Sequence, residues 1–304
     1  MRLQHTIITN FKGELPTLDE QFTARYKTME KNIKIHETAF VTSSFRASNP
    51  LVSKDTFAHL WANEKTDEHA QQYTQEVSAY EPLAHCLRNR YFYETITSLY
   101  QQNKIALVIN FGAGFSMYPF LLNEQLAHIE IDQTDVIAYK QERIAAWVEE
   151  GKLPYRKIDY ICANFNESDN ASLLEKIKLL KAERPSLILI EGVLFFINSE
   201  DTDRLFQLFG SIQNKGEYVG SVSFKKELEH TLGFKRMTAF IEKNLEANQK
   251  FEYQTIDDHF YTHNAKYSLV EHLDHHLLQK KYGTAMKFNK DLLLNEQMYL
   301  LKKK

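Results

Sequence analysis

Short apolar runs alternate with longer amphipathic stretches through the middle of the chain. The amphipathic stretches repeat apolar side chains at helical spacing, whereas the apolar runs have the length of strands. Strands that are apolar throughout are buried on both faces, as in a parallel sheet covered by helices. The pattern predicts a doubly wound, mostly parallel α/β sheet, with strands expected at residues 105–111, 127–132, 157–163, 186–192 and 218–224.

Helices of this core are expected between the strands, and weaker patterns flank it. The core spans about residues 100–225, residues 1–99 predict a mostly helical cover, and residues 226–304 predict helices that end in a strand at 297–301. No internal repeat, linker or break in composition separates these parts, so one domain over residues 1–304 is expected. The core helices are expected at residues 118–126, 134–150, 173–180 and 200–212.

Composition disfavours several classes of protein. The chain has 304 residues, 43% apolar and 25% charged, which allows a sizeable core. A formal net charge of −3 gives no electrostatic reason to expect a nucleic-acid partner. Cys86 and Cys162 have neither the number for a disulfide framework nor the spacing of zinc ligands. The chain shows neither a signal-peptide pattern nor a run of about 18 apolar residues, so we expect a cytoplasmic protein that has no membrane partner.

A glycine turn follows the first predicted strand, in the sequence LVINFGAGFSMYPF. In an open α/β sheet the ligand lies beyond the carboxyl ends of the strands, and the turn after the first strand usually contacts it. Gly112 and Gly114 lack side chains, so the backbone can approach a ligand closely. A dinucleotide-binding turn would need a third glycine where this chain has Met117, and a P-loop would need Gly-Lys-Ser/Thr. The turn therefore predicts a nucleotide-like ligand without a dedicated diphosphate cradle.

Asp132 ends the second predicted strand, twenty residues after Gly112. A carboxylate at this place can accept hydrogen bonds from both hydroxyls of a ribose. The pairing of a glycine turn with this acid favours S-adenosylmethionine, a nucleoside that carries no phosphates. A dehydrogenase and a purely structural turn stay open, and Asp132 could instead cap the helix that follows it.

Several segments occur in the order and approximate spacing of the leucine carboxyl methyltransferase family. They are TAFVTSSFRA with NPLVSKDTFAHLW, LRNRYFYE, VINFGAGFSMYPFLL, HIEIDQTDVIAYKQERI, CANFNE and LILIEGVLFFINSEDTDRLF. The resemblance covers roughly residues 38–225, and the chain looks more like the bacterial and polyketide carboxyl methyltransferase branch than like the eukaryotic protein-phosphatase methyltransferases. It implies a Rossmann-like methyltransferase core with S-adenosylmethionine as cofactor.

The same resemblance implies which residues contact the methionine end of the cofactor. Arg88 matches the family arginine that binds the methionine carboxylate, which a guanidinium can do through two parallel charge-assisted bonds. Arg90, two residues later, is the alternative. Glu191 matches the residue that faces the positively charged methionyl end. The turn beneath the methionyl and ribose portion would be Gly112, Ala113 and Gly114.

Ribose and adenine contacts are implied in the same way. Asp132 would hold the ribose, with Gln133 beside it. Asn164 and Phe165 stand where the family usually has Asp-Leu flanking the adenine, and an asparagine oxygen can still accept from the adenine amino group, without charge. Arg46 matches another family arginine and would assist at a carboxylate of the cofactor or of the substrate.

We therefore expect an S-adenosylmethionine-dependent O-methyltransferase. Its acceptor would be a carboxylate or phenolic hydroxyl of a small molecule, such as a polyketide-like metabolite. The alternatives are a peptide C-terminal carboxyl methyltransferase, an NAD-dependent oxidoreductase and an inactive relative retained for binding, the last suggested by Asn164 in place of the usual aspartate. The acceptor and the oligomeric state stay open.

Histidines in the last third of the chain are the candidate bases. A carboxylate acceptor is already ionised and needs no base, whereas a phenol would benefit from one. His259 and His263 could supply it, although no catalytic residue is assigned. His272 and His276 have the spacing of one helix face and could bind a metal, but neighbouring leucines indicate an ordinary amphipathic helix, and we expect no metal site.

Overall fold

The computed structural model describes residues 37–165, 170–244 and 251–304. The chain divides into two units, Met1–Glu37 and Thr38–Lys304, and the second contains the sheet and the candidate site. The part of the predicted helical cover before residue 37 lies outside the described residues. The expectation of one domain over residues 1–304 therefore stays a prediction.

Seven strands of the described chain form one sheet, in the order β3-β2-β1-β4-β5-β7-β6. The first five pair in parallel, and β7 runs antiparallel to both β5 and β6. The strands are β1 (Leu107–Phe111), β2 (Ala127–Asp132), β3 (Ile158–Cys162), β4 (Ser186–Ile190), β5 (Tyr218–Ser223), β6 (Tyr267–Asp274) and β7 (Gln297–Lys303).

Helices precede the sheet and connect its strands. Before β1 lie α1 (Glu37–Ser48), α2 (Pro50–Ser53), α3 (Glu64–Glu76) and α4 (Glu81–Gln101). Those that follow are α5 (Tyr118–Leu121), α6 (Thr134–Glu149), α7 (Asn170–Lys181), α8 (Ser199–Ile212), α9 (Leu232–Asn244), α10 (Asp258–Thr262) and α11 (His275–Tyr282). Short 3-10 turns occur at Ala58–Trp61, Leu194–Phe196 and Lys226–His230.

The parallel strands are buried on both faces of the sheet. In β1, Ile109 belongs to a cluster with residues of α7 and α8, while its neighbour Val108 packs in a second cluster with residues of α4 and α11. Every residue of β1, β4 and β5 is buried, which explains why these strands are apolar runs without alternation. The prediction of a doubly wound α/β core is confirmed, and the boundaries of its strands differ by at most two residues from those expected.

Strand β6 is absent from the sequence prediction, which expected helices in this region. The strand lies at the edge of the sheet, and its register against β7 shifts between Leu269 and Glu271. This irregularity interrupts the alternation of apolar and polar side chains, leaves Val270 about half exposed, and so removes the period of two that reveals a strand.

Two other expectations for helices are wrong. The helix predicted at residues 118–126 is the four-residue α5, because Leu122 adopts an extended backbone. The predicted helix face at His272 and His276 does not exist, because β6 contains His272 and ends at Asp274, whose side chain accepts a hydrogen bond from the Leu277 N–H and begins α11. The sequence Asp-His-His thus marks a helix start.

Helix α4 joins the N-terminal elements to the sheet. Leu87 and Tyr91 are fully buried against residues of β4 and β5. Because α4 has 21 residues, it crosses the sheet and brings its first turns to the carboxyl ends of the strands, where Arg88 meets Glu191. In the described parts of the chain, no helix combines the length and apolar character needed to cross a membrane.

Candidate cofactor site

The predicted site residues follow the carboxyl ends of four adjacent strands. Gly112, Ala113 and Gly114 follow β1, Asp132 ends β2, Asn164 and Phe165 follow β3, and Glu191 follows β4. Because these strands are parallel and neighbours in the sheet, all of these residues lie along one edge of it. The topology therefore assembles at one edge residues that are up to 79 positions apart, from Gly112 to Glu191.

The glycine turn has a backbone that only glycine adopts readily. Gly112 has φ +70° and Gly114 has φ +43°. A Cβ on Gly112 would overlap Cγ2 of Val193, so packing against the loop after β4 requires glycine there. A Cβ on Gly114 would meet the Ala39 Cβ at 3.7 Å, and this side of the turn is otherwise open apart from the Gly112 carbonyl oxygen at 4.0 Å. The missing side chain of Gly112 thus lets Val193 pack directly against the backbone of the turn. At Gly114 the missing side chain leaves open space beside the turn.

Asp132 fixes the shape of this turn. Its Oδ2 accepts a hydrogen bond from the Gly114 N–H at 2.7 Å, and its Oδ1 accepts one from the Gln133 N–H at 2.7 Å. Gln133, rather than Asp132, is the N-cap residue of α6, and the Gln133 side chain makes no capping hydrogen bond. The alternative interpretation of Asp132 as the helix cap is therefore wrong. The carboxylate joins the turn after β1 to the end of β2.

Arg88 lies at the centre of a buried group of charges. Its Nε donates to Glu191 Oε1 at 2.7 Å, and its Nη1 donates to Glu296 Oε1 at 2.5 Å. The Tyr118 hydroxyl donates to the other oxygen of Glu191 at 2.9 Å. The side chains of Arg88, Glu191 and Glu296 are between 7% and 12% exposed, so these ion pairs are largely shielded from water. The geometry links α4, α5, the end of β4 and the residue before β7.

Burial and charge perturb the ionisable groups around Arg88. Burial alone would lower the pKa of Arg88, but Glu296 and Glu191 outweigh it and raise the pKa above its ordinary value. Burial raises the pKa of Tyr118, and the charge of Glu191 raises it further, so the phenol stays a donor. Burial also raises the pKa of Glu296, against the opposing effect of Arg88.

Arg90, the alternative to Arg88, lies elsewhere. Its Nε donates to Glu94 Oε1 at 2.8 Å on the same helix, and its guanidinium carbon lies 4.0 Å from the centre of the Tyr282 ring. Its side chain is 24% exposed, against 7% for Arg88. Of the two arginines, Arg88 is the one that the fold brings to Glu191.

Phe165 contacts the turn from the β3 side. Its ring edge would lie 3.8 Å from a Cβ on Gly112, and its centroid lies 5.8 Å from that of Phe111. The Phe165 carbonyl oxygen accepts a hydrogen bond from Arg204 Nη2 at 2.8 Å, which joins this loop to α8. The neighbouring Asn164 is exposed. The two residues therefore lie beside the glycine turn, on the side of the sheet edge formed by β3.

Arg46 is held by the protein's own groups. Its Nε pairs with Asp55 Oδ2 at 3.0 Å, and its Nη2 donates to the Ser43 hydroxyl at 3.1 Å and to the Phe115 carbonyl oxygen at 2.9 Å. The carboxylate that it meets is thus Asp55 of this chain. Through Phe115, Arg46 anchors the residue after Gly114 to the helices that precede the sheet.

Met117, which replaces the third glycine of a dinucleotide turn, is part of the core. It is 1% exposed, and its sulfur accepts a hydrogen bond from the Trp61 indole at 3.1 Å. The Trp61 ring also stacks on Phe115 at 4.4 Å between centroids. In a dinucleotide-binding fold, a glycine at this position lets the helix pack close to the strand. Here the large side chain of Met117 fills that space instead.

The histidines considered as bases or ligands separate into different environments. His259 and His263 stack on each other with ring centres 4.0 Å apart. His272 stacks on Tyr299 and contacts Gln297 Oε1 at 2.9 Å, whereas His276 lies near Phe288. None of these contacts involves Arg88 or Glu191. Among the described residues, no group of three or more His, Cys, Asp or Glu side chains could hold a metal ion.

Sequence reasoning missed Tyr118 and Glu296. Tyr118 lies just after the glycine turn, in the segment already recognised, and a phenol at a helix start offered no separate signal. Glu296 lies 105 residues beyond Glu191 and reaches Arg88 only because β7 inserts between β5 and β6. No local pattern predicts that pairing.

The described residues fit S-adenosylmethionine. A guanidinium has five N–H donors, of which two serve Glu191 and Glu296, so Arg88 has donors for a further carboxylate. No heavy atom lies within 4 Å of a Cβ built on Gly192, which leaves space directly beside Glu191. Asp132 holds the backbone amides of Gly114 and Gln133 and so fixes a carboxylate at the end of β2, where a ribose binds in folds of this kind.

Solved structures with the same fold share little sequence identity with this chain. A DUF574 family protein from Streptomyces avermitilis MA-4680 is 12% identical, with a TM-score of 0.55 over 86% of this chain and 97% of that one. A candidate methyltransferase from Thermobifida fusca YX is 11% identical, with a TM-score of 0.54 over 80% of this chain and 89% of that one. These likenesses show the fold.

A weaker likeness is to magnesium protoporphyrin IX methyltransferase from Synechocystis PCC 6803 with bound S-adenosylhomocysteine. It is 10% identical over 80% of this chain and 96% of that one, with a TM-score of 0.47. No curated protein sequence matches the chain.

The leucine carboxyl methyltransferase family matches residues 38–210, more than half of the chain, and so confirms the resemblance drawn from the motifs. The match includes every predicted site residue from Arg88 to Glu191. The chain belongs to the leucine carboxyl methyltransferase family, whose members use S-adenosylmethionine as cofactor.

Proposed function

We propose that this protein transfers a methyl group from S-adenosylmethionine to an oxygen of a small molecule, either a carboxylate or a phenolic hydroxyl such as those of polyketide-like metabolites. A cytoplasmic location is part of the proposal. Membership of a methyltransferase family supports the reaction class, and the arrangement around Arg88 supports the way in which the cofactor is held.

The observation that carries the proposal is the buried pair of Arg88 and Glu191, 2.7 Å apart. The methionyl end of the cofactor has one carboxylate and one ammonium group. Arg88 can bind the carboxylate through its remaining donors, and Glu191 can accept from the ammonium group. A cation and an anion held side by side thus match the two charges of an amino acid. Tyr118, which donates to Glu191, would keep that carboxylate in place.

The remaining contacts follow the order of the strands. Asp132 would accept from the ribose hydroxyls while it holds the Gly114 N–H, so the turn and the ribose would share one anchor. Asn164 and Phe165 would flank the adenine at the end of β3. Gln133 would lie beside the ribose, and Gly112 and Ala113 would lie beneath the methionyl portion.

The bound cofactor supplies both the electrophilic methyl group and the leaving group. The residues of this chain then contribute orientation and exclusion of water, which is sufficient for an acceptor that is already ionised. A carboxylate acceptor needs no base. A phenolic acceptor would lose its proton more readily to a carboxylate with a raised pKa, and Glu296 is such a group close to Arg88.

Isothermal titration with S-adenosylhomocysteine tests the cofactor site. Saturable binding is expected, and no heat of binding up to about millimolar ligand would contradict the proposal. Transfer of a labelled methyl group to a metabolite extract then tests the acceptor. A label released by mild alkali identifies a carboxyl ester, and a stable label identifies a phenolic ether. Label found only on peptide C-termini would replace the small-molecule acceptor, and no transfer to any acceptor would indicate an inactive relative.

A further inference from the structure

Helix α4 presents a second set of charged side chains next to Arg88. Glu81, His85 and Arg88 occur at positions i, i+4 and i+7, so they lie on one face of the helix. Glu81 is 3% exposed, and His85 is 12% exposed at its side chain. We call these three residues the titratable stripe of α4. Burying them costs free energy unless their polar groups find partners. The proposed cofactor contacts use only Arg88 of the three.

Polar atoms around this stripe lack hydrogen-bond partners among the described residues. By strict hydrogen-bond geometry they are Glu81 Oε1, His85 Nδ1 and both ring nitrogens of His275, while the Leu294 N–H faces the Glu81 carboxyl group and the Ala84 carbonyl faces the His275 ring. His275 is fully buried, and its Nε2 lies 3.7 Å from Glu296 Oε2, beyond hydrogen-bonding distance. His85 Nε2 lies 3.6 Å from Glu81 Oε2. Most buried polar groups are paired, so a concentration of unpaired ones points to a ligand.

Glu81, His85 and Arg88 of α4 form one cluster with Glu191, His275 and Glu296. The charges of this cluster do not balance. Three carboxyl groups, Glu81, Glu191 and Glu296, lie around one guanidinium, Arg88. Burial raises the pKa of Glu81, and Glu296 raises it further while Arg88 opposes it. S-adenosylmethionine adds one carboxylate, one ammonium group and its sulfonium, and this single net positive charge reduces the imbalance without removing it when all three carboxyl groups are ionised. In that state the cluster is short of positive charge.

Neither histidine supplies the missing cation. Burial and then the charge of Arg88 lower the pKa of His275 to about 3, and Asp274 and the Ala84 carbonyl only partly oppose them. Burial also lowers the pKa of His85, followed by the effects of Arg88 and His275. Both rings are neutral at physiological pH, and each neutral ring offers one nitrogen that accepts a hydrogen bond.

Two members of the cluster lie beside the half of the sheet that the proposed cofactor residues do not use. The cofactor residues follow β1, β2, β3 and β4, which form one half of the sheet. His275 follows β6 and Glu296 precedes β7, in the other half. Arg88 connects the two halves through Glu191 and Glu296. A methyl acceptor approaching from the half that the cofactor leaves unused would meet His275 and Glu296.

We infer that Glu81, His85, His275 and Glu296 form a subsite that binds an ammonium group of the methyl acceptor. This inference rests on the proposed function and narrows its acceptor to an amine-bearing molecule. An ammonium group has three donors, and the Glu81 carboxylate and the two imidazoles offer three acceptors. Its charge offsets the surplus carboxyl groups.

Aromatic rings and the absence of a metal cluster favour this occupant. The Phe45 ring lies 5.4 Å from His85 and 5.8 Å from Tyr73, so the stripe has an aromatic neighbour of the kind that cations prefer. An anionic group would face Glu81 and Glu296 and be repelled. Among the described residues no group of three or more His, Cys, Asp or Glu side chains could hold a metal ion, so the ligand proposed here is an organic cation.

Three probes of equal length test the subsite: propylammonium, 1-propanol and propionate. Their binding is measured at neutral pH by calorimetry, with and without saturating S-adenosylhomocysteine. We expect propylammonium to bind at least about tenfold more tightly than 1-propanol, and propionate to bind most weakly. Equal binding of the three, or no binding of propylammonium at about 100 mM in either condition, would overturn the inference. Titration of S-adenosylhomocysteine alone reports the cofactor site, so failure of one proposal is distinguished from failure of the other.

Matched variants locate the binding. Glu81→Gln keeps the shape of the side chain and removes its charge, and it should weaken propylammonium binding by about tenfold or more. Glu94→Gln is the control on the same helix, because Glu94 pairs with Arg90 and lies outside the cluster. Unchanged propylammonium affinity in folded Glu81→Gln, or an equal loss in both variants, would contradict the assignment. The probe comparison on the unaltered protein decides the case if Glu81→Gln does not fold.

Discussion

Arg88 and Glu191 form a buried ion pair, with 2.7 Å between Nε and Oε1, although 103 positions separate them in the chain. The pair joins the helix before the sheet to the end of its central strand β4. Each partner also holds another residue, Glu296 for Arg88 and Tyr118 for Glu191. A ligand with one carboxylate and one ammonium group can bind both partners at once, which makes this pair the centre of the proposed cofactor site.

Replacement of Arg88 by lysine should weaken S-adenosylhomocysteine binding by about tenfold or more. Lysine keeps the charge but has one nitrogen, so it cannot serve Glu191, Glu296 and a ligand carboxylate with the fork of a guanidinium. Isothermal titration measures the loss, and Arg90→Lys is the control on the same helix. Equal affinity of Arg88→Lys and the unaltered protein would remove Arg88 from the cofactor site.

Replacement of Gly112 by alanine should destabilise the fold by about 2–4 kcal/mol, because it combines a left-handed backbone with overpacking. The overpacking arises from Val193, whose Cγ2 occupies the position of the new Cβ. Urea unfolding of Gly112→Ala, Val193→Ala and the double variant separates the two causes. The double variant should be more stable than the sum of the single losses implies, since the clash is absent and only the backbone strain and the lost packing of Val193 remain. Strictly additive losses would show that Val193 does not cause the clash.

Glu130→Gln should destabilise the protein by about 3–5 kcal/mol, because it leaves the charge of Lys140 buried without a partner. The ion pair has 2.8 Å between Lys140 Nζ and Glu130 Oε2, and both side chains are at most 1% exposed. Burial raises the pKa of Glu130 and lowers that of Lys140, each against the effect of its partner. Urea unfolding checks the loss against Glu124→Gln, whose carboxylate is 69% exposed. A loss below that of an ordinary surface substitution would contradict the burial of this pair.

Acidification should destabilise the protein through His128. Burial, with a smaller effect of Lys140, lowers the pKa of His128 from 6.5 to about 3. Between these two values the unfolded chain binds the proton on His128 and the folded chain does not. The contribution of His128 to the free energy of unfolding therefore falls as the pH decreases from about 6.5 to about 3, and it is constant above this range. For this residue the loss from pH 7 to pH 5 is about 2 kcal/mol.

The matched variant for this prediction is His128→Gln, which cannot be protonated. Its unfolding free energy should lose about 2 kcal/mol less than that of the unaltered protein when the pH falls from 7 to 5. Urea unfolding at both pH values measures the difference. The same dependence on pH in both proteins would show that His128 titrates normally in the folded state.

The apolar runs by themselves determined the parallel half of the sheet. β1, β2, β4 and β5 are continuous in sequence and buried throughout or nearly so, and local pattern is sufficient where burial is uniform. The glycine turn, Asp132 and Glu191 were also recognisable, since each follows directly from a strand end, and the family match bears out the resemblance that their segments carry.

Only the tertiary structure decided which charges meet. Glu296 and His275 come to Arg88 because β7 lies between β5 and β6, an order that no local pattern encodes. The bulge in β6 concealed a strand, and the choice between Arg88 and Arg90 depended on which side of α4 faces the sheet. The physical reason is the same in each case. Hydrophobic periodicity determines which residues are buried, whereas the pairing of buried charges depends on contacts between segments far apart in the chain.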